Sequence, residues 1–222
     1  PVVFLLHAYS ERHRMYHDFV LRFDELVQAG QLPPVILVMP DANNALGGSW
    51  YTNSSKTGNW EDFIAEDLVA YTDSTYRTIA RSDSRGIAGQ SMGGFGAMRV
   101  AIRRPDVFGA TYAIDGPMSS SGDVMLQGSG DIGGSYAAAL EYPQRDEKLA
   151  AAPLGLLSGL PDNVAALRGI GLVVGALDGA IETNGRAFSE ALSEMGIEHD
   201  FQVHDGGHSD HFEANLEERA LP

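Results

Sequence analysis

Residues 86–98 read "GIAGQSMGGFGAM". An apolar run, "RGIAG" (85–89), leads into Gly89-Gln90-Ser91-Met92-Gly93, and a helix rich in small residues is expected from Met92 to about Arg103. The pentapeptide matches G-x-S-x-G in the context that gives this pattern meaning, a strand before it and a helix after it. A serine at a sharp strand-to-helix turn sits in a strained backbone conformation that lifts its hydroxyl into a cleft. Gly89 and Gly93 leave room for that turn, and Gly94, Gly96 and Ala97 let the helix approach the sheet with its positive N-terminal end at the serine. A glycine-rich turn that needs only flexibility is the plainer alternative. Strand, elbow and small-residue helix together favour a nucleophile.

Outward from the elbow, short β-branched runs alternate with helical periodicity. "VVFLL" (2–6), "PVILVMP" (34–40), "RGIAG" (85–89), "GATYAI" (109–114), "IGLVVGA" (170–176) and "EHDFQVH" (198–204) read as strands. Helices are expected over 15–30, 59–76, 92–103, 182–196 and 209–221, with Asn59 as an N-cap and Trp60, Phe63, Ile64, Leu68 and Tyr71 spaced along one face. Near-continuous apolar strands hide both faces, so the expectation is one domain over residues 1–222, a three-layer α/β/α sandwich on a mostly parallel sheet. Residues 117–165 break the rhythm with Gly, Ser and Pro and weak helical pieces such as 135–142. They read as an insertion over the C-terminal edge of the sheet, forming a lid or pocket wall or a structural loop.

A hydroxyl becomes a nucleophile when a base takes its proton, and the chain order Ser, acid, His asks for both partners downstream. Of seven histidines, His199, His204, His208 and His211 follow Ser91. His208, in the glycine-rich loop "DGGHSDHF" after the last strand, is the expected base, with His211 next. Asp178, just past "LVVGA", is the expected acid, with Glu182 the nearest substitute, while Asp205 and Asp210 read as turn or helix caps. The oxyanion donors are expected to be the backbone N–H groups of Met92, after the serine, and Tyr9, in the loop after the first strand. His7 precedes the serine and reads as a residue that shapes that loop. His13 and His17, four apart, suit a ligand pair in spacing but lie within no recognised metal pattern, so a solvated helix face is expected and no metal or cofactor is invoked.

Composition bounds the rest. The 222 residues carry a formal net charge of −15, which argues against nucleic acid or an anionic membrane as a partner. The longest apolar runs fall far short of the ~20 residues a membrane helix needs, so a soluble protein is expected, cytoplasmic or secreted. The absence of cysteine excludes disulfides and thiolate chemistry. The chain begins at Pro1 with neither Met nor a signal-like segment, which reads as processing or truncation.

The blocks "LLHAYS", "VMPDANN", "GSWYTNS", "NWEDFIAEDLVAYTDSTYRT", "RGIAGQSMGGFGAM", "RRPDVFGATYAIDG" and "GGHSDHF" resemble the esterase D-like family of α/β-hydrolases. That family includes S-formylglutathione hydrolases, feruloyl esterases and antigen 85-like mycolyltransferases. The resemblance implies an α/β-hydrolase fold with Ser91, Asp178 and His208 as triad and Tyr9 and Met92 as oxyanion hole. Two departures stand out. The family's His-Gly after the first strand is His7-Ala8 here, and the chain starts on that strand, where relatives carry earlier antiparallel strands. N-terminal strands missing from the sheet would leave an edge that invites pairing with another chain, and so a homo-oligomer.

The expected reaction is ester hydrolysis through an acyl-enzyme, on small-molecule or carbohydrate-linked esters of small acyl or aryl groups. Trp50 and Phe95 are the candidate pocket wall, Trp50 from a glycine-flanked loop, while Trp60 is expected in the core. Acyl transfer of the mycolyltransferase kind and a non-catalytic binding module on a hydrolase fold are the rival readings.

Overall fold

The computed structural model describes residues 1–119, 131–141 and 150–220. Six strands form one sheet: β1 (Val2–Leu6), β2 (Ile36–Val38), β5 (Arg85–Gln90), β6 (Ala110–Ile114), β7 (Gly169–Gly175) and β8 (Asp200–His204). Their spatial order is β2-β1-β5-β6-β7-β8, and every neighbouring pair runs parallel. A separate antiparallel ladder joins β3 (Asn53–Ser54) to β4 (Gly58–Asn59). Two-residue strands are too short to leave a periodic signal, so the sequence pattern does not reveal this pair.

Side chains alternate across the sheet as the pleat requires. On one face Val2, Phe4, Leu6 and Ile87 meet Ile64 and Ala65 of the second helix and Phe95, Ala97, Val100 and Ala101 of the third. On the same side Ala113, Ile170 and Leu172 meet Leu156, Leu157, Phe188 and Leu192. On the other face Leu5, Ala88, Tyr112, Ile114 and Val173 pack against Phe19, Phe23 and Leu26 of α1 (His17–Gln28) and against Leu216 near the C-terminus. These are the three layers expected of a sheet covered on both faces. From β1 the chain first winds outward to β2 and then, through β5, to the opposite side, so the crevice at the C-terminal ends of β1 and β5 is where such sheets bind ligands.

Boundaries depart from expectation for local reasons. β2 is confined to three residues between Pro34 and Pro40, which donate no N–H. The 59–76 helix, α2, runs as Trp60–Asp62, a wider π segment Phe63–Leu68, and Val69–Thr75. Asn59 occupies its N-cap position, yet the cap bond is made by Asn53, whose Oδ1 accepts the Asp62 N–H at 3.1 Å. Trp60 is partly buried against the core, its ring edge-on to Phe63. α3 (Met92–Arg103) follows the elbow and α7 (Ala180–Glu194) precedes β8. The closing helix begins only at Phe212, as α8 (Phe212–Asn215), continuing as a π turn over Leu216–Ala220; His211 ahead of it adopts a left-handed φ of 57°.

The expected insertion divides in two. α4 (Asp131–Leu140) lies on the 48–55 loop, where Ser135 Oγ donates to Gly48 O at 3.0 Å and Thr52 Oγ1 to Ala139 O at 2.8 Å. By contrast α5 (Pro153–Gly159) and α6 (Pro161–Ala166) put Leu156, Leu157 and Val164 into the core beside α3 and α7. The rest of the expected insertion, 120–130 and 142–149, lies outside the described residues.

Candidate active site

β5 delivers Ser91 at φ 54° and ψ −116°, a conformation an L-residue holds only where its surroundings impose it. Its N–H donates to Ile114 O at 2.8 Å, and its carbonyl accepts the Phe95 N–H at 2.9 Å, the first turn of α3. The glycines are required by contact. A Cβ on Gly89 would stand 2.8 Å from Leu6 O, and one on Gly93 would overlap that same carbonyl. The elbow thus rests against β1, with no side chain between.

Two further loops converge on the serine. Asp178 follows β7 in a turn fixed by Ala176 N–H to His204 O (2.8 Å) and Leu177 N–H to Gly206 O (2.9 Å). His208 follows β8. Its Nδ1 lies 2.7 Å from Asp178 Oδ2 and its Nε2 lies 2.9 Å from Ser91 Oγ. An ionised carboxylate only accepts, so Nδ1 carries the proton in the neutral ring and Nε2 is left to accept from the serine hydroxyl. The hydrogen bond to Asp178 raises the His208 pKa above 6.5, against the opposing effect of burial, with the charges of Asp178 and Asp115 adding to the rise. The alternatives are engaged elsewhere: His211 Nε2 pairs with Asp205 at 2.9 Å, and Glu182 pairs with Arg186. Asp210 accepts the Gly207 N–H at 2.8 Å, a turn cap as expected.

The loop after β1 is pinned from beneath by His7, which is fully buried. Its Nε2 accepts the Ala42 N–H at 2.8 Å, so Nδ1 is the protonated nitrogen and donates to Ala8 O at 2.8 Å. Burial lowers the His7 pKa below 6.5, in keeping with a neutral ring. Tyr16 Oη donates to Leu6 O at 2.6 Å and Tyr51 Oη to His7 O at 3.0 Å. His7 therefore shapes this loop, in line with its place in the sequence. Tyr9 and Met92 come together around Gly48, where a Cβ would lie 2.9 Å from the Tyr9 ring and overlap Met92 Sδ.

The expected pocket residues Trp50 and Phe95 sit deeper than their sequence context suggests. Trp50 is 2% exposed and Phe95 fully buried, with ring centroids 5.6 Å apart and Tyr136 of α4 packed against both, at 4.8 and 5.7 Å. Both belong to the core under the loop, because α4 covers a Trp50 that the sequence leaves in an open glycine-flanked segment. A cavity of about 490 Å³ lies among Tyr9, Ser10, Leu46, Gly47, Gly134 and Ser135. A second hollow, of about 270 Å³, lies at the opposite end of the sheet, against Gly86, Ala110 and Gly169 at the starts of three strands.

His13 and His17 are exposed, His13 standing 3.7 Å from Asp41. Two groups of potential metal ligands gather within 4.8 Å among the described residues: His204, Asp205 and His211, and Asp115, Asp178 and His208. The second contains a residue that sequence reasoning passes over. Asp115 directly follows the apolar strand beside the elbow strand, and that position is the signal that marks it.

Residues 1–218 match the family described as "Putative esterase". An esterase of Mycobacterium tuberculosis is 37% identical over 131 residues, covering 57% of this chain and 27% of that protein. An endo-1,4-beta-xylanase/feruloyl esterase of Xylanibacter ruminicola is 32% identical over 120 residues, covering 49% of this chain and 15% of that protein. The aligned segments thus span under a third of the length of these curated relatives. Among solved structures, a ferulic acid esterase superposes with TM-score 0.83 at 24% identity, covering 100% of this chain and 83% of that one. An S-formylglutathione hydrolase from Agrobacterium tumefaciens gives 0.77 at 19%, covering 100% and 82%. MPT51 of Mycobacterium tuberculosis gives 0.71 at 17%, covering 98% and 86%. At such identities these likenesses establish the fold, that of α/β-hydrolases, and the family match over nearly the whole chain establishes the membership: this protein belongs to the esterase family.

Proposed function

We propose that the chain is a serine carboxylesterase that cleaves small acyl or aryl esters through an acyl-enzyme intermediate. The observation that carries this reading is the single imidazole of His208, bridging Ser91 Oγ at 2.9 Å and Asp178 Oδ2 at 2.7 Å. In the first half-reaction Ser91 Oγ attacks the ester carbonyl carbon as its proton passes to His208 Nε2. The imidazolium, balanced by Asp178, then protonates the departing alcohol. In the second, water loses a proton to Nε2 and attacks the acyl carbon, and the acid leaves with Ser91 restored.

The developing oxyanion falls to the N–H groups of Met92, at the N-terminus of α3, and Tyr9, in the loop held by His7. The strained Ser91 backbone and the contact of Gly93 with β1 hold nucleophile and oxyanion loop in one place, so little reorganisation accompanies the chemistry. The acyl or aryl group is assigned to the cavity beside Tyr9, Leu46 and Ser135, the loop that also carries the proposed oxyanion donor. A net charge of −15 favours neutral over anionic esters.

The test is hydrolysis of p-nitrophenyl acetate, butyrate and octanoate, and of methyl ferulate, by the wild-type chain beside Ser91→Ala. The reading expects turnover that vanishes with the serine and declines for the octanoyl ester. Product analysis with an added alcohol acceptor separates hydrolysis from acyl transfer. Turnover unchanged in Ser91→Ala would refute the reading.

A further inference from the structure

Asp115 is the first residue after β6, held at φ 48° with its N–H donating to Val173 O at 2.9 Å. It is fully buried; its carboxylate accepts two backbone N–H groups, and a third N–H stands close by. Oδ1 accepts the N–H of Gly175 at 2.9 Å, the last residue of β7 and the start of the turn that carries Asp178. Oδ2 accepts the N–H of Ser209 at 2.9 Å, the residue next to His208. The third group belongs to His204 of β8. Its Nδ1 accepts the Gly206 N–H at 3.1 Å, so Nε2 bears the proton, and that nitrogen stands 3.4 Å from Asp115 Oδ1 with no hydrogen-bond partner among the described residues.

One oxygen of Asp115, one of Asp178 and a ring nitrogen of His208 lie within 4.8 Å of one another. The titratable groups facing Asp115 among the described residues are therefore His204 from β8, His208 from the loop after it and Asp178 from the loop after β7.

Resting on the triad reading above, we propose that Asp115 is a second carboxylate of this site, a positioning residue that ties the Asp178 and His208 loops together and whose charge stabilises the protonated His208. Convergent donors explain the residue type. A backbone donor on each oxygen, with the His204 N–H close by, needs an acceptor on both sides, which a carboxylate has and an amide does not, because the NH₂ of an asparagine would confront one of the donors. The same carboxylate reaches both loops that must stay in register with Ser91. When the serine proton arrives on Nε2, the imidazolium faces two anions: Asp178 in direct contact, and Asp115 behind it. Burial pushes the Asp115 pKa upward and the charge of Asp178 adds to that rise, while the hydrogen bond from Ser209 and the neighbouring His208 and His204 oppose it. An anion at this distance raises the pKa of a partly buried imidazole by roughly one unit.

The experiment compares the full chain with its Asp115→Asn and Asp115→Ser variants, following the rate at which a fluorophosphonate probe labels Ser91 between pH 5 and 9. Labelling requires His208 as base, so its pH midpoint reports the His208 pKa. The expected result is a plateau rate slower by roughly ten- to a hundred-fold in the variants, with the midpoint lower by roughly one pH unit. A slower rate with the wild-type midpoint would reduce Asp115 to a structural residue and overturn the proposal, as would an unchanged profile. If Asp115→Asn prevents folding, Asp115→Ser, whose side chain is smaller and retains one acceptor, gives the same comparison. Wild-type chain that takes no probe at any pH would instead remove the triad reading, and this inference with it.

Discussion

Glu61 of α2 and Arg99 of α3 form a buried ion pair, each 5% exposed, which fastens the helix that follows Ser91 to its neighbour on the same face of the sheet. The second Glu61 oxygen takes Arg103 Nε at 2.7 Å, and Arg99 Nε reaches Ala151 O at 3.2 Å. Removing the carboxylate leaves Arg99 charged and unpaired in the core. Glu61→Ala is expected to cost about 3–5 kcal/mol in urea unfolding, and Glu61→Leu combined with Arg99→Met distinctly less, because the double change removes both charges. A milder loss in Glu61→Ala than in the double variant would contradict this account.

Gly93 touches the Leu6 carbonyl so closely that even a methyl group has no room. Gly93→Ala must push the elbow away from β1 and Ser91 away from the loop bearing Tyr9. A stability loss of about 3 kcal/mol is expected, with kcat falling more steeply than KM rises. Wild-type kcat in a folded Gly93→Ala chain would show that the close approach has no bearing on the chemistry.

The pH dependence follows from His208. As a base it must be neutral, and its pKa is raised above 6.5 by the Asp178 hydrogen bond, so kcat/KM should climb with pH through a single midpoint above 6.5. Asp178→Asn should move that midpoint down. For stability the sign is opposite: the favourable interaction of charged His208 is fully present below pH 6.5 and fades as pH rises through the folded-state value. Unfolding free energy measured from pH 5 to 9 should therefore lose this contribution toward the alkaline side, and His208→Ala should flatten the change.

His7 offers a test of the loop beneath Tyr9. His7→Ala strands the Ala42 N–H in the core and frees the Ala8 carbonyl from its 2.8 Å partner. The expected cost is about 2–4 kcal/mol, with lower kcat if this loop holds the oxyanion as proposed. His7→Gln, which retains an acceptor and a donor, should recover part of both.

The parts of this structure legible in the sequence are those written locally. β5, Ser91 and α3 are visible because the turn between them demands particular glycines, and Asp178 and His208 because each closely follows a recognisable apolar strand. What escapes depends on contacts between distant segments. Trp50 looks exposed in "GGSWYTN" and is buried where Phe95 and Tyr136, both far along the chain, pack on its ring. Asn53 caps α2 across a short hairpin, where the adjacent Asn59 is the natural choice from sequence. Asp115 looks like a turn residue until β7 and β8 bring Gly175, Ser209 and His204 to its carboxylate.

The most direct measurement is intact-protein and peptide mass spectrometry after brief exposure to a fluorophosphonate. The account predicts one adduct per chain, located on Ser91, absent from Ser91→Ala and strongly slowed in His208→Ala. An adduct on another residue, or equal labelling of Ser91→Ala, would contradict the claim that Ser91 is the nucleophile of this esterase.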